Sequence, residues 1–175
     1  IMNEINVFLN GKEIKAQVGQ TIWQIANQQN VEIPHLCHRN ETSYRADGNC
    51  RACMVEVEGE RTLVASCQRE ITEGMVINTN SLRVRNSQKL IIELLLSDQP
   101  DRQDSHDHNS HFWRIAEISG LEKSRFPGKL GVKADNSHPA IAVNMDSCIQ
   151  CGLCVRACRE VQVNDVIGMA GRGVD

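Results

Sequence analysis

The sequence predicts an α+β fold: a small hairpin-built domain, then a helical stretch, then a short cysteine-rich segment. Three observations carry this reading. Apolar residues alternate over Asn3–Leu9 and Glu13–Val18, and again over Met54–Glu58 and Thr62–Ala65. An apolar pattern at helical spacing runs from about Ser81 to Ser97. Eight cysteines fall into two groups of four, one on either side of that pattern.

The first two strands flank Asn10-Gly11, the favoured pair for a two-residue type I′ turn, so Asn3–Leu9 and Glu13–Val18 form a hairpin. Gly19-Gln-Thr21 leads into Ile22, Trp23, Ile25 and Ala26, an amphipathic helix with Thr21 as its N-cap. Pro34 closes that connection. The pair Met54–Glu58 and Thr62–Ala65 forms a second hairpin, and Met75–Ile77 is a last short strand.

Between helix and second hairpin lies Arg45-Ala-Asp-Gly-Asn-Cys-Arg-Ala-Cys53, with Cys37 upstream and Cys67 downstream. The spacing is C-x12-C-x2-C-x13-C. Cys50 and Cys53 on one tight loop can both reach one iron, and Cys37 and Cys67 can take a second. Four thiolates are what a [2Fe–2S] cluster needs. Gly48 and Gly59 allow close backbone approach to sulfide, and Arg45 and Arg51 place positive charge beside an anionic cluster. Disulfides suit an oxidising compartment, whereas zinc is the stronger rival for a Cys-x2-Cys pair. His35 and His38 flank Cys37, but four cysteines are already at hand, so both histidines are taken as neighbours and not as ligands. Hairpin, crossing helix, cluster loop and hairpin follow the order of a β-grasp ferredoxin over residues 1–79.

Residues 80–137 form a helical linker. Its first helix, capped by Asn80 or Ser81, offers Leu82, Leu90, Ile91, Leu94 and Leu95 for burial against the β-grasp unit. A polar stretch with His106, His108 and His111 follows, then Phe112–Ile118 as a short helix stopped by Gly120. A loop with Pro127, Gly128 and Gly131 leads to His138-Pro139.

Residues 138–175 carry Cys148, Cys151, Cys154 and Cys158 at C-x2-C-x2-C-x3-C spacing. Three evenly stepped cysteines on a loop suit one face of a [4Fe–4S] cube better than a single zinc ion. Gly152 gives the loop room, and Ile149, Leu153 and Val155 can shield the cube. In two-cluster modules the fourth cysteine of such a run ligates the other cube, so Cys158 either closes this cube or serves a second one. Arg159 stands where a proline often follows. A second motif is missing, and the chain begins with Ile1, so a partial [4Fe–4S] domain on a truncated chain is expected.

Composition excludes several classes. A formal charge of −3 gives no reason to expect nucleic acid or an anionic membrane as partner. The longest apolar run, Leu90–Leu96, is broken by Glu93, so no membrane span is expected. Paired cysteine groups without an export signal point to metal ligation in a reducing, cytoplasmic setting. No nucleophile–base pair or phosphate loop is present, and Glu56 and Glu58 are given no role, so no catalytic residue is assigned.

In this order of segments the chain resembles the N-terminal electron-wiring region of three relatives. They are the large iron–sulfur subunit of complex I, the electron modules of NAD-linked hydrogenases, and the α subunit of NAD-linked formate dehydrogenases. Complex I-like members usually add a His-x3-Cys-x2-Cys-x5-Cys cluster in the linker, and no cysteine lies between Cys67 and Cys148 here. The stretches PHLCHRNETSYRADGNCRACMVEVEGER, SDQPDRQDSHDHNSHFW and CIQCGLCVRACREVQVNDVIGMAGRG look most like the formate dehydrogenase group. That resemblance implies a molybdenum or tungsten bis-molybdopterin guanine dinucleotide domain beyond Asp175. It also implies a flavin- and NAD-binding partner subunit that receives electrons from formate. The rival expectations are a hydrogenase or complex I-like module, a free-standing ferredoxin-like carrier, and a zinc-stabilised interaction module.

Overall fold

A computed structural model describes residues 4–41, 44–128 and 134–170. Asn3, Gly131 and the last five residues, named in the sequence reading, lie outside the described residues. The chain divides into two compact units, Ile1–Gln88 and Lys89–Asp175.

In the first unit, β1 (Glu4–Leu9) and β2 (Lys12–Gln17) pair antiparallel from Glu4↔Gln17 to Leu9↔Lys12. Asn10 and Gly11 both take positive φ, 51° and 81°, as the type I′ turn demands. Alternation buries Val7 and Leu9 on β1 against Ile14 and Ala16 on β2. Helix α1 (Ile22–Gln28) starts at Thr21, whose side chain accepts from Gln24 N while the Gln24 side chain accepts from Thr21 N, a complete capping box. Ile22, Trp23, Ile25 and Ala26 form its buried face. Thr21→Ala is expected to cost about 1 kcal/mol, read as a lower urea midpoint at unchanged slope.

Three further strands complete one mixed sheet: β3 (Met54–Val57), β4 (Val64–Ala65) and β5 (Val76–Asn78). The strand order is β2-β1-β5-β3-β4. The last strand in sequence is therefore central, parallel to β1 through Phe8↔Val76 and antiparallel to β3 through Val57↔Ile77. Threading β5 between the two hairpins binds them into one sheet, and α1 packs on a single core with Val55, Val57, Ile71 and Ile77. The α+β, mixed-sheet ferredoxin-type architecture is thus present.

Helix α2 (Leu82–Leu96) begins where Ser81 Oγ accepts from Val84 N at 3.2 Å. Its buried stripe differs from the expected one. Val84, Gln88, Ile92 and Leu96 face inward, whereas Leu82 is 68% exposed and Leu90 and Leu94 are exposed too. Two polar residues reach the buried side because each finds a partner. Gln88 Nε2 donates to Met54 O at 2.9 Å, and Glu93 pairs with Arg125 Nε at 3.2 Å. Within the first unit, Arg83 also donates to Arg61 O and pairs with Glu56, so the early turns of α2 pack on the sheet domain as expected.

The second unit holds α3 (His111–Ile118), capped by Ser110 and ended at Gly120 with φ 66°. Phe112, Trp113, Ile115 and Ala116 are its buried face. A small hairpin, β6 (Asp135–His138) with β7 (Ile141–Val143), was not foreseen; every residue in it is exposed, so no alternation announces it. A short helix α4 (Leu153–Arg156) runs into a π-type turn, Ala157–Val161. Among the described residues, no helix is long and apolar enough to cross a membrane.

Candidate metal centres

Cys53 immediately precedes β3 and Cys67 follows β4. The antiparallel register Met54↔Ala65 sets Cys53 opposite Ser66, where Ser66 N donates to Cys53 O at 3.1 Å. Cys37 arrives from the connection after α1, past Pro34, and Cys50 N donates to its Sγ at 3.4 Å. Trp23 on α1 steadies this arm by edge-on contacts to His35 at 4.8 Å and His38 at 4.6 Å. His35 Nδ1 lies 3.1 Å from Ile33 O, which occupies one nitrogen of that ring.

The thiols pair across segments of the chain. Cys37 contacts Cys50, and Cys53 contacts Cys67. Each thiol of the Cys-x2-Cys loop therefore meets a cysteine from another segment, and the two loop thiols do not form a pair of their own. The reason is local: Arg51 takes φ 58° and turns the chain between them. Cys37, Cys53 and Cys67 are 0–1% exposed, and Cys50 is half-buried at the rim.

Charge is shared within each pair. A hydrogen bond from Cys37 lowers Cys50 to about 6, and a bond from Cys67 lowers Cys53 to about 6. The donors Cys37 and Cys67 are pushed well above the ordinary thiol range by those same bonds, and burial adds to it. Two sulfur pairs with anionic character, three of their four thiols buried, suit a group with two metal centres. Among the described residues, no three His, Cys, Asp or Glu side chains converge on one ion position.

Gly48 is needed in this loop, whereas Gly59 is not. Gly48 has φ 64°, and a Cβ there would collide with Gln68 Oε1, whose amide holds Ala46 O at 3.1 Å. A Cβ at Gly59 meets nothing within 4 Å, so that glycine serves the β3–β4 turn. Gly48→Ala is expected to cost about 1–2 kcal/mol through left-handed strain alone. Denaturation of the loaded chain, followed at its visible absorbance, checks this. Arg45 pairs with Asp47 at 3.4 Å, and Arg51 is exposed.

The second cysteine group sits on a loop turned twice by left-handed residues, Gln150 at φ 54° and Gly152 at φ 72°. Gln150 N donates to Cys148 Sγ and Val166 N to Cys158 Sγ, each at 3.4 Å. Backbone donors to sulfur are what anionic thiolates require. Cys154 lies on α4 and Cys158 on the π-type turn. Val155 is buried, while Ile149 and Leu153 are half-buried. Arg156, 4% exposed, donates through Nη2 to Cys151 O at 3.4 Å, placing a buried cation behind the loop. Sequence reasoning passed over Arg156 and Ser66; the available signals were a polar residue abutting Cys67 and a charged one midway between Cys154 and Cys158. In the linker, the His108 ring lies against Gln103 O at 3.1 Å, and His111 opens α3.

Residues 2–82 match a model described as a 2Fe-2S iron-sulfur cluster binding domain, and residues 141–160 match a 4Fe-4S binding domain. The chain is 33% identical over 180 residues to the NADP-reducing hydrogenase subunit HndD of Solidesulfovibrio fructosivorans, covering 98% of this chain and 30% of that protein. It is 32% identical over 181 residues to the mitochondrial NADH-ubiquinone oxidoreductase 78 kDa subunit of Candida albicans, covering 98% of this chain and 24% of that one. The chain thus spans less than a third of the length of these relatives. A crystal structure of an NAD+-reducing [NiFe]-hydrogenase in the H2-reduced state superposes with a TM-score of 0.85 at 26% identity, over 97% of this chain and 72% of that one. Both matched binding-domain stretches fall within the part of the chain that is similar to these hydrogenase and complex I subunits.

Proposed function

We propose that this chain is the electron-relay region of a hydrogenase- or complex I-type oxidoreductase linked to NAD or NADP. In this reading Cys37 and Cys50 hold one iron of a [2Fe–2S] cluster, and Cys53 and Cys67 hold the other. Cys148, Cys151 and Cys154 hold three corners of a [4Fe–4S] cube, and Cys158 takes the fourth corner or a corner of a second cube. The observation that carries the reading is the meeting of four thiols, three of them buried and Cys50 at the rim, where the cluster loop joins the β3–β4 hairpin.

When bound, such clusters accept and pass on single electrons with little rearrangement. The chain's own residues supply the rest. Buried Cys37, Cys53 and Cys67 keep water from the sulfurs, while half-buried Cys50 marks the rim nearest to solvent. Amides of Cys50, Gln150 and Val166 donate to thiolate sulfur and offset its charge. Arg156 places a fixed cation at the second loop.

Three functional segments follow: residues 1–79 as [2Fe–2S] domain, 80–137 as linker and 138–175 as part of a [4Fe–4S] domain. A flavin- and nucleotide-binding subunit in a reducing, cytoplasmic setting is the partner that fits. The finer reading, formate as electron source at a molybdopterin site outside these residues, rests on the cysteine-free linker and its wording. The similar proteins named above are hydrogenase and complex I subunits, and they favour the hydrogenase or complex I reading instead.

The native polypeptide tests this. Reduction is expected to give EPR signals of one [2Fe–2S] cluster and of at least one [4Fe–4S] cluster, with hydrogen or NAD(P)H as donor. Reduction by formate alone would select the molybdopterin reading. A colourless protein holding zinc would overturn the relay function altogether.

A further inference from the structure

We propose that the Ser66 hydroxyl donates a hydrogen bond to sulfur of the [2Fe–2S] cluster on the Cys53 side, and so positions that cluster and sets how readily it accepts an electron. The inference deepens the reading of Cys37, Cys50, Cys53 and Cys67 as ligands, and rests on it.

Ser66 is 0% exposed. Its peptide is locked on both sides: Ser66 N donates to Cys53 O at 3.1 Å, and Ser66 O accepts from Trp23 N at 3.0 Å. Its hydroxyl, by contrast, meets no partner at hydrogen-bonding geometry among the described residues. Buried polar groups are nearly always bonded, and a fully buried hydroxyl without an acceptor is costly to retain. Alanine would fill the same place without that penalty. The register of β3 against β4 sets Ser66 beside Cys53. Sulfur at Cys53 is therefore the acceptor this donor is placed for.

The electrostatic consequence has a definite sign. Reduction adds one negative charge to the cluster, and a fixed donor stabilises the more negative state more strongly. Ser66 therefore raises the reduction potential, and hydrogen bonding to sulfur is a recognised lever on that quantity.

The test uses the full chain with its clusters, as wild type, Ser66→Ala and Ser66→Thr. An EPR-monitored redox titration reads the midpoint of the [2Fe–2S] signal. Pulsed EPR after a brief soak in D2O reads the deuteron of a hydroxyl, which exchanges before buried amides do. Ser66→Ala is expected to keep the signal but to shift the oxidised-to-reduced ratio at fixed potential about tenfold towards oxidised, roughly 59 mV for one electron. It is also expected to lose the deuteron coupling, and Ser66→Thr to restore both. An unchanged midpoint with unchanged coupling in Ser66→Ala overturns the proposal. Should that variant fail to load its cluster, absence of the fast-exchanging coupling in wild type overturns it. A wild-type chain with no [2Fe–2S] signal overturns the ligand reading itself, a result told apart from the other two before any variant is made.

Discussion

Cys53→Ala is expected to abolish the [2Fe–2S] EPR signal of the reduced chain while leaving the [4Fe–4S] signal in place. Cys53 supplies one half of a thiol pair, and its neighbour Cys67 is 1% exposed, so no water-filled route offers a substitute ligand. The lost group also leaves Ser66 and Cys67 facing an empty volume in a core that cannot collapse freely, because Ser66 N and Trp23 N fix the backbone around it. The second cysteine group lies in the other compact unit, on its own loop and helix. A [2Fe–2S] signal of wild-type intensity in Cys53→Ala would remove Cys53 from the ligand set. Loss of both signals would show instead that the two units do not fold independently.

Trp23→Ala carries the largest expected cost in stability, about 3–5 kcal/mol, the range for deleting a buried aromatic side chain. Trp23 is nearly buried on α1, bonded through its amide to Ser66 O, and stacked edge-on against His35 and His38. Removing the indole leaves the arm that delivers Cys37 without its wall. The expected result is a markedly lower unfolding midpoint, together with faster loss of visible absorbance on dilution into chelator. A variant that melts earlier but holds its cluster as long as wild type would confine Trp23 to the core and free the Cys37 arm from it.

Local chemistry was legible wherever a short stretch decides its own conformation. Asn10-Gly11 forms its turn because both residues tolerate positive φ, and Thr21 caps α1 because its hydroxyl reaches Gln24 N. Gly120 stops α3 for the same kind of reason. The spacing of the eight cysteines pointed to iron–sulfur binding domains, and two such domain models match the chain, since few other chemistries use thiols in those steps.

What needed the tertiary structure is everything set by a distant segment. The buried stripe of α2 runs through Val84, Gln88, Ile92 and Leu96 because Met54 O and Arg125 offer partners to Gln88 and Glu93, a fact absent from the helix's own pattern. The exposed β6–β7 hairpin has no buried face and therefore no alternation to read. Sequence proximity places Cys50 and Cys53 on one loop, and only the fold shows what reaches them: Cys37 meets Cys50, while Arg51 turns the loop and the β3–β4 register brings Cys67 alongside Cys53. Thiol identity is a property of the residue, and so it is written in the chain. Thiol pairing is a property of distance, and distance is set only once β5 has locked the two hairpins into one sheet.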